Sequence, residues 1–386
     1  MIKTRFTRIV QKRKTLLGVG PMSTNCIDAV IELSNDFEIP IMLIASRRQI
    51  DAEQFGRGYV NNWTTDLFCR YVYDRDPGGK VYLCRDHGGP WQNPFERDND
   101  LGLKDAMKSA KESYRCDIEA GMEIIHIDPS VDIYKKPSME EIVDRVLELY
   151  EFCWEIGSRM DIPIEFEIGT EEQSGSTSDA AEFEHMLKRI NDYCRRYGMP
   201  TPLFVVVQNG TKVVETRNIG SFDVPLRIAG EIAPEIQIPM MAKICSDNDV
   251  LIKAHNTDYL SDDSLKWYPR LGIHAANVAP EFGVVETRSM IEVLKKNGLQ
   301  RLADRFIEIS YNSHKWEKWM TKNSSADEEE KAMIAGHYIY SMPEVIELKA
   351  QMQSELGHKN ICLDEYLKNA VKAAVYRYLK DFRMVS

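Results

Sequence analysis

Acidic and histidine side chains stand at or near the ends of several predicted β-strands, and residues of these types transfer protons and bind divalent metals. The residues concerned are Asp86, His87, Glu165, Glu167 and His255. Glu165 and Glu167 are two residues apart, so both can face the same side of one strand. A buried strand carries carboxylates only where they are paired or bind a cation. The pattern predicts a catalytic site in which Asp86 moves a proton, with Glu165 as a second candidate for that role.

Imidazoles and oxygen donors on different strands predict a divalent-metal site. His87 and His255 supply the imidazoles, and Glu167 lies between them in the sequence. Imidazole suits zinc, nickel, manganese or iron, and oxygen ligands broaden the choice. A metal beside a bound ketone would polarise the carbonyl and stabilise an enediolate. The alternative is that His87 and His255 only hydrogen-bond to loop backbone.

Two further histidines are predicted to lie outside this site. His126 is within a strand, two residues before its end, and is expected to be a core residue whose hydrogen bonds are satisfied. His274 opens the last strand and is expected at the opposite end of the fold.

Eight short apolar or β-branched runs alternate with longer helical patterns and must position these side chains. The predicted strands are 15–20, 39–46, 80–87, 124–128, 163–169, 202–210, 249–256 and 274–280. Such alternation indicates parallel strands joined by right-handed crossovers. An open doubly wound sheet gives the same alternation, but eight units within about 280 residues favour a closed (β/α)8 TIM barrel, an α/β fold.

The active site of such a barrel lies at the carboxyl ends of its strands. Gln208, at the end of the sixth strand, is a further candidate metal ligand. The candidates for substrate binding are polar residues at or just after strand ends: Ser23, Arg47, Asp128, Asn256, Asp258 and Asn277.

A phosphate group is a separate question. The loops after the last two strands often bind one, but here they are neither glycine-rich nor basic. Cations are available elsewhere, at Arg47, Arg48, Arg57 and Lys212. These form either a phosphate clamp or a solvated charge cluster.

The chain divides by pattern into two regions. Residues 1–299 are predicted to form the barrel, and the short basic segment before Thr15 is expected to cover its bottom, with an amphipathic transit peptide as the alternative. Residues 300–386 show no further strand pattern and are predicted to form a helical appendage that packs on the barrel or on a neighbouring subunit.

Composition excludes several classes of protein. With 49 basic and 60 acidic residues the net charge is −11, which argues against a general nucleic-acid or anionic-membrane surface. No run approaches the roughly 20 apolar residues of a membrane helix. The 8 cysteines are scattered without CxxC pairs, so we expect reduced thiols and a cytoplasmic location.

Several short motifs follow one another along residues 15–300. They include Gly18-Val19-Gly20-Pro21, Asp86-His87-Gly88-Gly89-Pro90, His126-Ile127-Asp128, Glu165-Phe166-Glu167-Ile168-Gly169 and Ala254-His255-Asn256-Thr257-Asp258. In this order and spacing they resemble the tagatose-bisphosphate aldolase accessory-subunit family, a divergent branch of the class II, metal-dependent aldolase barrels.

The resemblance implies a role for each matching residue. By likeness to class II aldolases, Asp86 transfers a proton, while His87 and His255 bind zinc. Glu167 matches a glutamate near the metal, and Asn277 matches a substrate-binding asparagine.

The chain departs from those aldolases at the sixth strand, where Gln208 stands in place of a further ligand histidine, and in lacking a glycine-rich phosphate loop. Two hypotheses follow. The first is a metal-dependent enzyme, most simply using Zn²⁺, that acts on a ketose or ketose phosphate by aldol chemistry or by epimerisation. The second is a non-catalytic subunit that stabilises a separate aldolase. The retained acids and histidines favour catalysis, because a scaffold has no need of converging ligands. A homo-oligomer is expected in either case.

Overall fold

Eight parallel strands close into a barrel. The computed structural model describes residues 2–170, 180–223 and 232–385. The barrel strands are β1 (Leu16–Val19), β2 (Ile41–Ser46), β3 (Val81–Gly88), β4 (Ile124–Ile127), β5 (Glu165–Ile168), β6 (Phe204–Val207), β9 (Leu251–Ala254) and β10 (Ala275–Val278). Around the barrel they follow the order β1-β10-β9-β6-β5-β4-β3-β2. A small antiparallel hairpin, β7 (Val213–Val214) and β8 (Arg217–Asn218), lies between β6 and β9. The predicted α/β fold class is confirmed.

Helices surround the barrel and continue beyond it. Those up to the last barrel strand are α1 (Ile2–Val10), α2 (Thr24–Asp36), α3 (Thr65–Arg75), α4 (Pro94–Asp98), α5 (Leu103–Ala120), α6 (Met139–Met160), α7 (Ala180–Tyr197), α8 (Pro234–Asp247), α9 (Asp262–Leu265) and α10 (Tyr268–Leu271). The later ones are α11 (Pro280–Lys296), α12 (Gln300–Asn312), α13 (Glu328–Ala335), α14 (Pro343–Gly357) and α15 (Leu363–Asp381). Short 3₁₀ turns occur at Glu53–Phe55, Glu317–Trp319 and Gly336–Tyr338. None of the described helices is long and apolar enough to cross a membrane.

The first helix covers the amino-terminal end of the barrel. Phe6 is fully buried, and its ring lies 4.9 Å from that of Tyr82 and 6.0 Å from that of Phe204. Both partners lie near the beginning of their strands, so α1 closes this end by apolar packing.

The carboxyl-terminal helices pack against the barrel in two ways. A hydrophobic cluster separate from the barrel core joins α11, α12 and α14. Helix α15 joins both cores, since Leu363 and Leu367 belong to this cluster and Val371 and Val375 to the main core, and it contacts α2 and α11. Helix α12 begins at Gln300, while a domain boundary at 299/300 remains a prediction.

Candidate metal centre and catalytic cavity

Four buried side chains converge inside the carboxyl-terminal end of the barrel: Asp86, His126, Glu167 and His255. They come from four different elements, namely β3, β4, β5 and the residue that follows β9. His126 and Glu167 are register partners on adjacent strands, so both side chains enter the barrel at the same level. One potential ligand atom from each of the four lies within 4.8 Å of all the others. We call these four residues the central group.

A β-bulge in β3 shapes this end of the barrel. The pairing with β4 shifts between Arg85 and Gly88, so that two residues of β3 occupy the space of one. His87 lies in this bulge with a φ of 43°, and its backbone N–H donates to Nδ1 of His126 over 3.1 Å. The bulge brings Asp86 and His87 to one cavity although strand alternation would separate them.

Distances within the central group match those expected around a small cation. Nε2 of His255 is 3.0 Å from Oε1 of Glu167 and 3.9 Å from Oδ1 of Asp86. Nδ1 of His126 is 3.4 Å from Oδ1 of Asp86 and 3.7 Å from Oε1 of Glu167. Tetrahedral zinc with bonds of about 2.1 Å separates its ligand atoms by about 3.4 Å. The donor set therefore fits a divalent cation.

The hydrogen bonds around His255 point to the same conclusion. Its Nε2 faces the carboxylate of Glu167 at 3.0 Å, which requires a proton, and the amide nitrogen of Asn277 at 3.1 Å, which requires a lone pair. Turning the Asn277 amide over would place its oxygen against Oδ1 of Asp86, which now accepts from Nδ2 over 3.2 Å. Oδ1 of Asn277 and Nε2 of His126 are buried and have no hydrogen-bond partner within 2–170, 180–223 and 232–385. A cation that takes the lone pair of His255 removes this conflict.

Charges around the central group keep its carboxylates ionised. Burial would raise the pKa of Glu167, but the nearby Lys253 and the histidines lower it below the usual value. Lys253 is fully buried, with Nζ 2.5 Å from Oε2 of Glu167. Burial also opposes ionisation of Asp86, yet His87 and the other two histidines lower its pKa. Burial lowers the pKa of His255, which favours the neutral imidazole that binds metals.

A cavity of about 380 Å³ opens directly above the central group. The predicted site residues among its lining are Asp86, His87, Asp128, His255, Asn256, Asp258 and Asn277. Nδ1 of His87 is 2.7 Å from Oδ2 of Asp128. Although burial opposes it, Asp86 and Asp128 raise the pKa of His87 to about 9. Burial and the neighbouring Glu281 raise the pKa of Asp258 to about 7.

Four predicted site residues lie elsewhere or serve the fold. Glu165 is at the amino-terminal end of the barrel, where Oε1 accepts the backbone N–H of Lys3 over 3.2 Å. Arg47 is buried in ion pairs with Asp51 at 2.9 Å and Glu96 at 2.5 Å.

Ser23 caps α2 by accepting the N–H of Cys26 over 3.0 Å and donates to Glu286. Gln208 lines a neighbouring cavity together with Thr170 and Ser130, the last of which also borders the central cavity. The structure therefore gives Glu165, Ser23 and Arg47 no place beside the central group.

The contacts of two histidines differ from the expectation, while their roles stay predictions. His126, predicted to be a satisfied core residue, belongs to the central group and has an unpartnered Nε2. His87, predicted to be a metal ligand, instead contacts Asp128 and lies with Nε2 3.8 Å from Oδ2 of Asp86. The sequence did contain a pattern that places His126 in the site. His126 stands between Ile125 and Ile127, just as Glu167 stands between two apolar residues of its strand.

Comparisons with known proteins find solved structures of similar fold. No family model and no curated protein matches the sequence. Among solved structures, a probable tagatose 6 phosphate kinase from Sinorhizobium meliloti 1021 superposes with a TM-score of 0.75 at 16% identity, covering 95% of this chain and 100% of that one.

Two further structures are less similar. Fructose-bisphosphate aldolase from Campylobacter jejuni has a TM-score of 0.56 at 11% identity, covering 100% and 94% of the two chains. The fructuronate-tagaturonate epimerase UxaE from Cohnella laeviribosi has a TM-score of 0.58 at 11% identity, covering 96% and 81%. At these identities the likeness establishes a barrel fold of the kind found in aldolases and an epimerase.

Proposed function

We propose that this protein is a metal-dependent enzyme of the class II aldolase type, which cleaves and forms a carbon–carbon bond in a ketose or ketose phosphate. The observation that carries the proposal is the central group, whose four ligand atoms lie within 4.8 Å of one another beneath an open cavity. A barrel has no structural need for two buried carboxylates and two imidazoles at this position, since such groups cost free energy unless they are paired or bind a cation.

His126, Glu167 and His255 are proposed to hold the cation, which we propose to be Zn²⁺. Nδ1 of His126 accepts the backbone N–H of His87 and would exchange that hydrogen bond for the metal. Three protein ligands with one open position are typical of catalytic zinc. The bound metal supplies Lewis acidity towards a substrate carbonyl. The second oxygen of Glu167 contacts Lys253, which fixes the carboxylate so that Oε1 faces the two imidazoles.

Asp86 is proposed to move the proton. Its Oδ1 accepts from the amide of Asn277, which fixes the carboxylate at the floor of the cavity. Because its pKa is lowered, Asp86 is ionised at neutral pH, which is the form that can accept a proton. Removal of a proton from a substrate hydroxyl by Asp86 lets that oxygen become a carbonyl as the neighbouring carbon–carbon bond breaks. The same proton can then return to the carbon that kept the electron pair.

Epimerisation of a ketose or its phosphate is the second candidate. Asp258 lines the same cavity, and its raised pKa, about 7, suits a group that both accepts and returns protons. Cleavage followed by re-addition to the other face of the carbonyl would invert one carbon without releasing a product. The likeness to an epimerase barrel supports this alternative as far as fold goes.

The metal site is tested by metal analysis of purified variants. We expect His255→Ala and His126→Ala to lose most of the bound divalent metal, and His87→Ala to retain more of it than either. His274→Ala is the matched control, because His274 lies at the other end of the barrel, where Nδ1 accepts the N–H of Ile252 over 3.1 Å. Unchanged metal content in both His255→Ala and His126→Ala would reject the site.

The reaction is tested by NMR of the metal-loaded protein with candidate ketoses and ketose phosphates in deuterated water. Release of a shorter aldehyde or ketone indicates an aldolase, and a recovered stereoisomer indicates an epimerase. A protein that is inert alone but raises the activity of an added aldolase would overturn the enzyme proposal in favour of a helper subunit. We further propose a cytoplasmic location, since all eight cysteines are unpaired, as is usual for thiols in a reducing compartment. The homo-oligomer stays a prediction.

A further inference from the structure

The carboxyl-terminal region forms one wall of the catalytic cavity. Two short turns, Glu317–Trp319 and Gly336–Tyr338, reach over the strand ends. Their cavity-lining residues are Lys318, Trp319, His337 and Tyr338. The indole N–H of Trp319 donates to the hydroxyl of Tyr338 over 3.2 Å, which joins the two turns. The appendage is thus part of the site and not only of the scaffold.

Three cations from separate elements meet in this cavity. They are Arg48, which follows β2, Arg97 of α4, and Lys318. Within the residues that the structure describes, neither Arg48 nor Lys318 forms an ion pair with an acidic side chain, and the ammonium of Lys318 instead lies over the rings of Trp319 and Tyr338, 4.9 and 4.6 Å from their centroids. Lys318 is exposed as a residue, but burial of its ammonium end and the positive charges of Arg48, Lys315 and Arg97 lower its pKa to about 7. Like charges that line one cavity repel one another, and an anion bound between them would offset that repulsion.

His337 is an unusual member of the same wall. The residue is only 1% exposed, and neither ring nitrogen has a hydrogen-bond partner in 2–170, 180–223 or 232–385. Burial and the charge of Lys318 lower its pKa to about 3, so the ring is neutral and one of its nitrogens carries a proton. A buried donor without a partner is costly. A ligand oxygen in the cavity would remove that cost.

We propose that Lys318 and His337, together with Arg48, form a subsite for the anionic group of an acidic sugar. The inference rests on the proposed function and deepens it, because it names the substrate class as a ketose that carries a phosphate or a carboxylate. Arg97 adds positive charge to the same wall, while its Nε donates to the carbonyl oxygen of Trp91 over 2.5 Å.

The gradient of burial across the cavity sets the orientation of the substrate. The central group is buried, whereas Arg48 and Arg97 are half-buried and Lys318 is exposed, so these cations lie nearer to the opening. A bound sugar would place its reacting carbons near Asp86 and its anionic group near the opening. A volume of about 380 Å³ suits a molecule of this size. The neighbouring Arg47 cannot serve in this way, because its charge is matched by Asp51 and Glu96.

The subsite is tested by calorimetric binding to the metal-loaded protein of three probes: D-fructose 6-phosphate, D-fructuronate and D-fructose. We expect Lys318→Gln and Arg48→Gln each to weaken binding of the preferred anionic probe about 10- to 100-fold, the usual effect of removing a hydrogen bond to a charged group. Binding of the neutral sugar should not change. Lys315→Gln is the matched control, because it removes the same charge from a residue close to Lys318 that does not line the cavity. His337→Phe keeps the ring volume and should also weaken anion binding.

Each outcome decides one point. Selective loss of phosphate binding identifies a phosphorylated sugar, and selective loss of carboxylate binding identifies a sugar acid. If both anions bind wild type and Lys318→Gln equally, or no more tightly than D-fructose, the subsite is wrong. Lysine-dependent anion binding without any turnover would keep the subsite and reject the proposed reaction. Turnover of neutral and anionic ketoses with equal kcat/KM would keep the proposed reaction and reject the subsite.

Discussion

Glu165 and Glu167 are two residues apart on strand β5, yet they lie at opposite ends of the barrel interior and have opposite surroundings. Glu165 is the first residue of the strand and contacts the backbone N–H of Lys3 in the first helix. Glu167 is the third and contacts Lys253 and His255. Burial raises the pKa of Glu165. At Glu167 the neighbouring cations outweigh burial and lower the pKa.

The difference reflects how each end of the barrel is closed. At the amino-terminal end, α1 inserts the fully buried Phe6 between aromatic rings. At the carboxyl-terminal end, His126, Asn277 and His337 each keep a buried polar atom without a partner in the described part of the chain. The amino-terminal end is closed by apolar packing, which stabilises the fold. The carboxyl-terminal end keeps buried polar atoms that a ligand could contact.

The largest expected effect follows from neutralising Glu167. Glu167→Gln leaves the ammonium of Lys253 fully buried without its counter-charge. Removing one partner of a buried ion pair costs about 3–5 kcal/mol. We therefore expect a loss of that order in the free energy of unfolding, measured by urea denaturation of the metal-free protein.

The double variant Glu167→Gln/Lys253→Met is the control for this prediction. It removes both charges and should recover most of the lost stability, because a buried pair contributes little more than apolar packing. If the single and double variants unfold at the same urea concentration, Lys253 does not depend on Glu167.

A smaller effect, on catalysis rather than folding, is expected at Asp86. Asp86→Asn keeps the side-chain volume but removes the base, so kcat should fall by about two orders of magnitude. KM should change little, because the metal ligands and the cavity walls remain. Steady-state kinetics with the substrate identified by NMR gives both values.

Asp249→Asn provides the comparison from the other end of the barrel. Asp249 is exposed, and its Oδ2 is 2.9 Å from Nζ of Lys3. It should keep wild-type kcat. A wild-type kcat in Asp86→Asn would instead assign proton transfer to Asp128 or Asp258, which line the same cavity.

The sequence predicted the barrel well, because each strand carries a local apolar signal that survives in three dimensions. All eight predicted strands overlap an observed barrel strand, from β1 to β10. Asp86, Glu167 and His255, predicted to meet at the strand ends, lie close together in the structure, while their roles stay predictions. These inferences needed only the period of two along a strand and the parallel order of the strands.

The position of a side chain along the barrel axis and the presence of a β-bulge could not be predicted in the same way. Glu165 and Glu167 share a face, as expected, but two residues of strand span about 6.6 Å, enough to place Glu165 outside the site. The bulge at Asp86 and His87 depends on pairing with β4, so no spacing within β3 reveals it. The contribution of Lys318 and His337 depends on how the appendage packs, which has no local signal.

The smallest expected effect is at Glu165. Here the sign of the change in the free energy of unfolding is more informative than its size. The unfolded-state pKa of a glutamate is about 4.3, and burial in the folded protein raises it. Folding then favours the protonated form, so the stability that this group contributes is present below the unfolded pKa and is lost as pH rises through the folded pKa. Glu165→Gln stays neutral and should be more stable than wild type at pH 7, on the order of 0.5 kcal/mol.

At pH 4 that difference should disappear, because wild-type Glu165 is then largely protonated as well. Urea unfolding of both proteins at the two pH values measures it, and bound metal should be unchanged, since Glu165 contacts Lys3 and not the central group. A variant that is less stable than wild type at pH 7 would mean that Glu165 is held ionised by Lys3. An ion pair would then help Phe6 to close the amino-terminal end. Glu165 and Glu167 would both be ionised, and they would differ only in the residues that they contact.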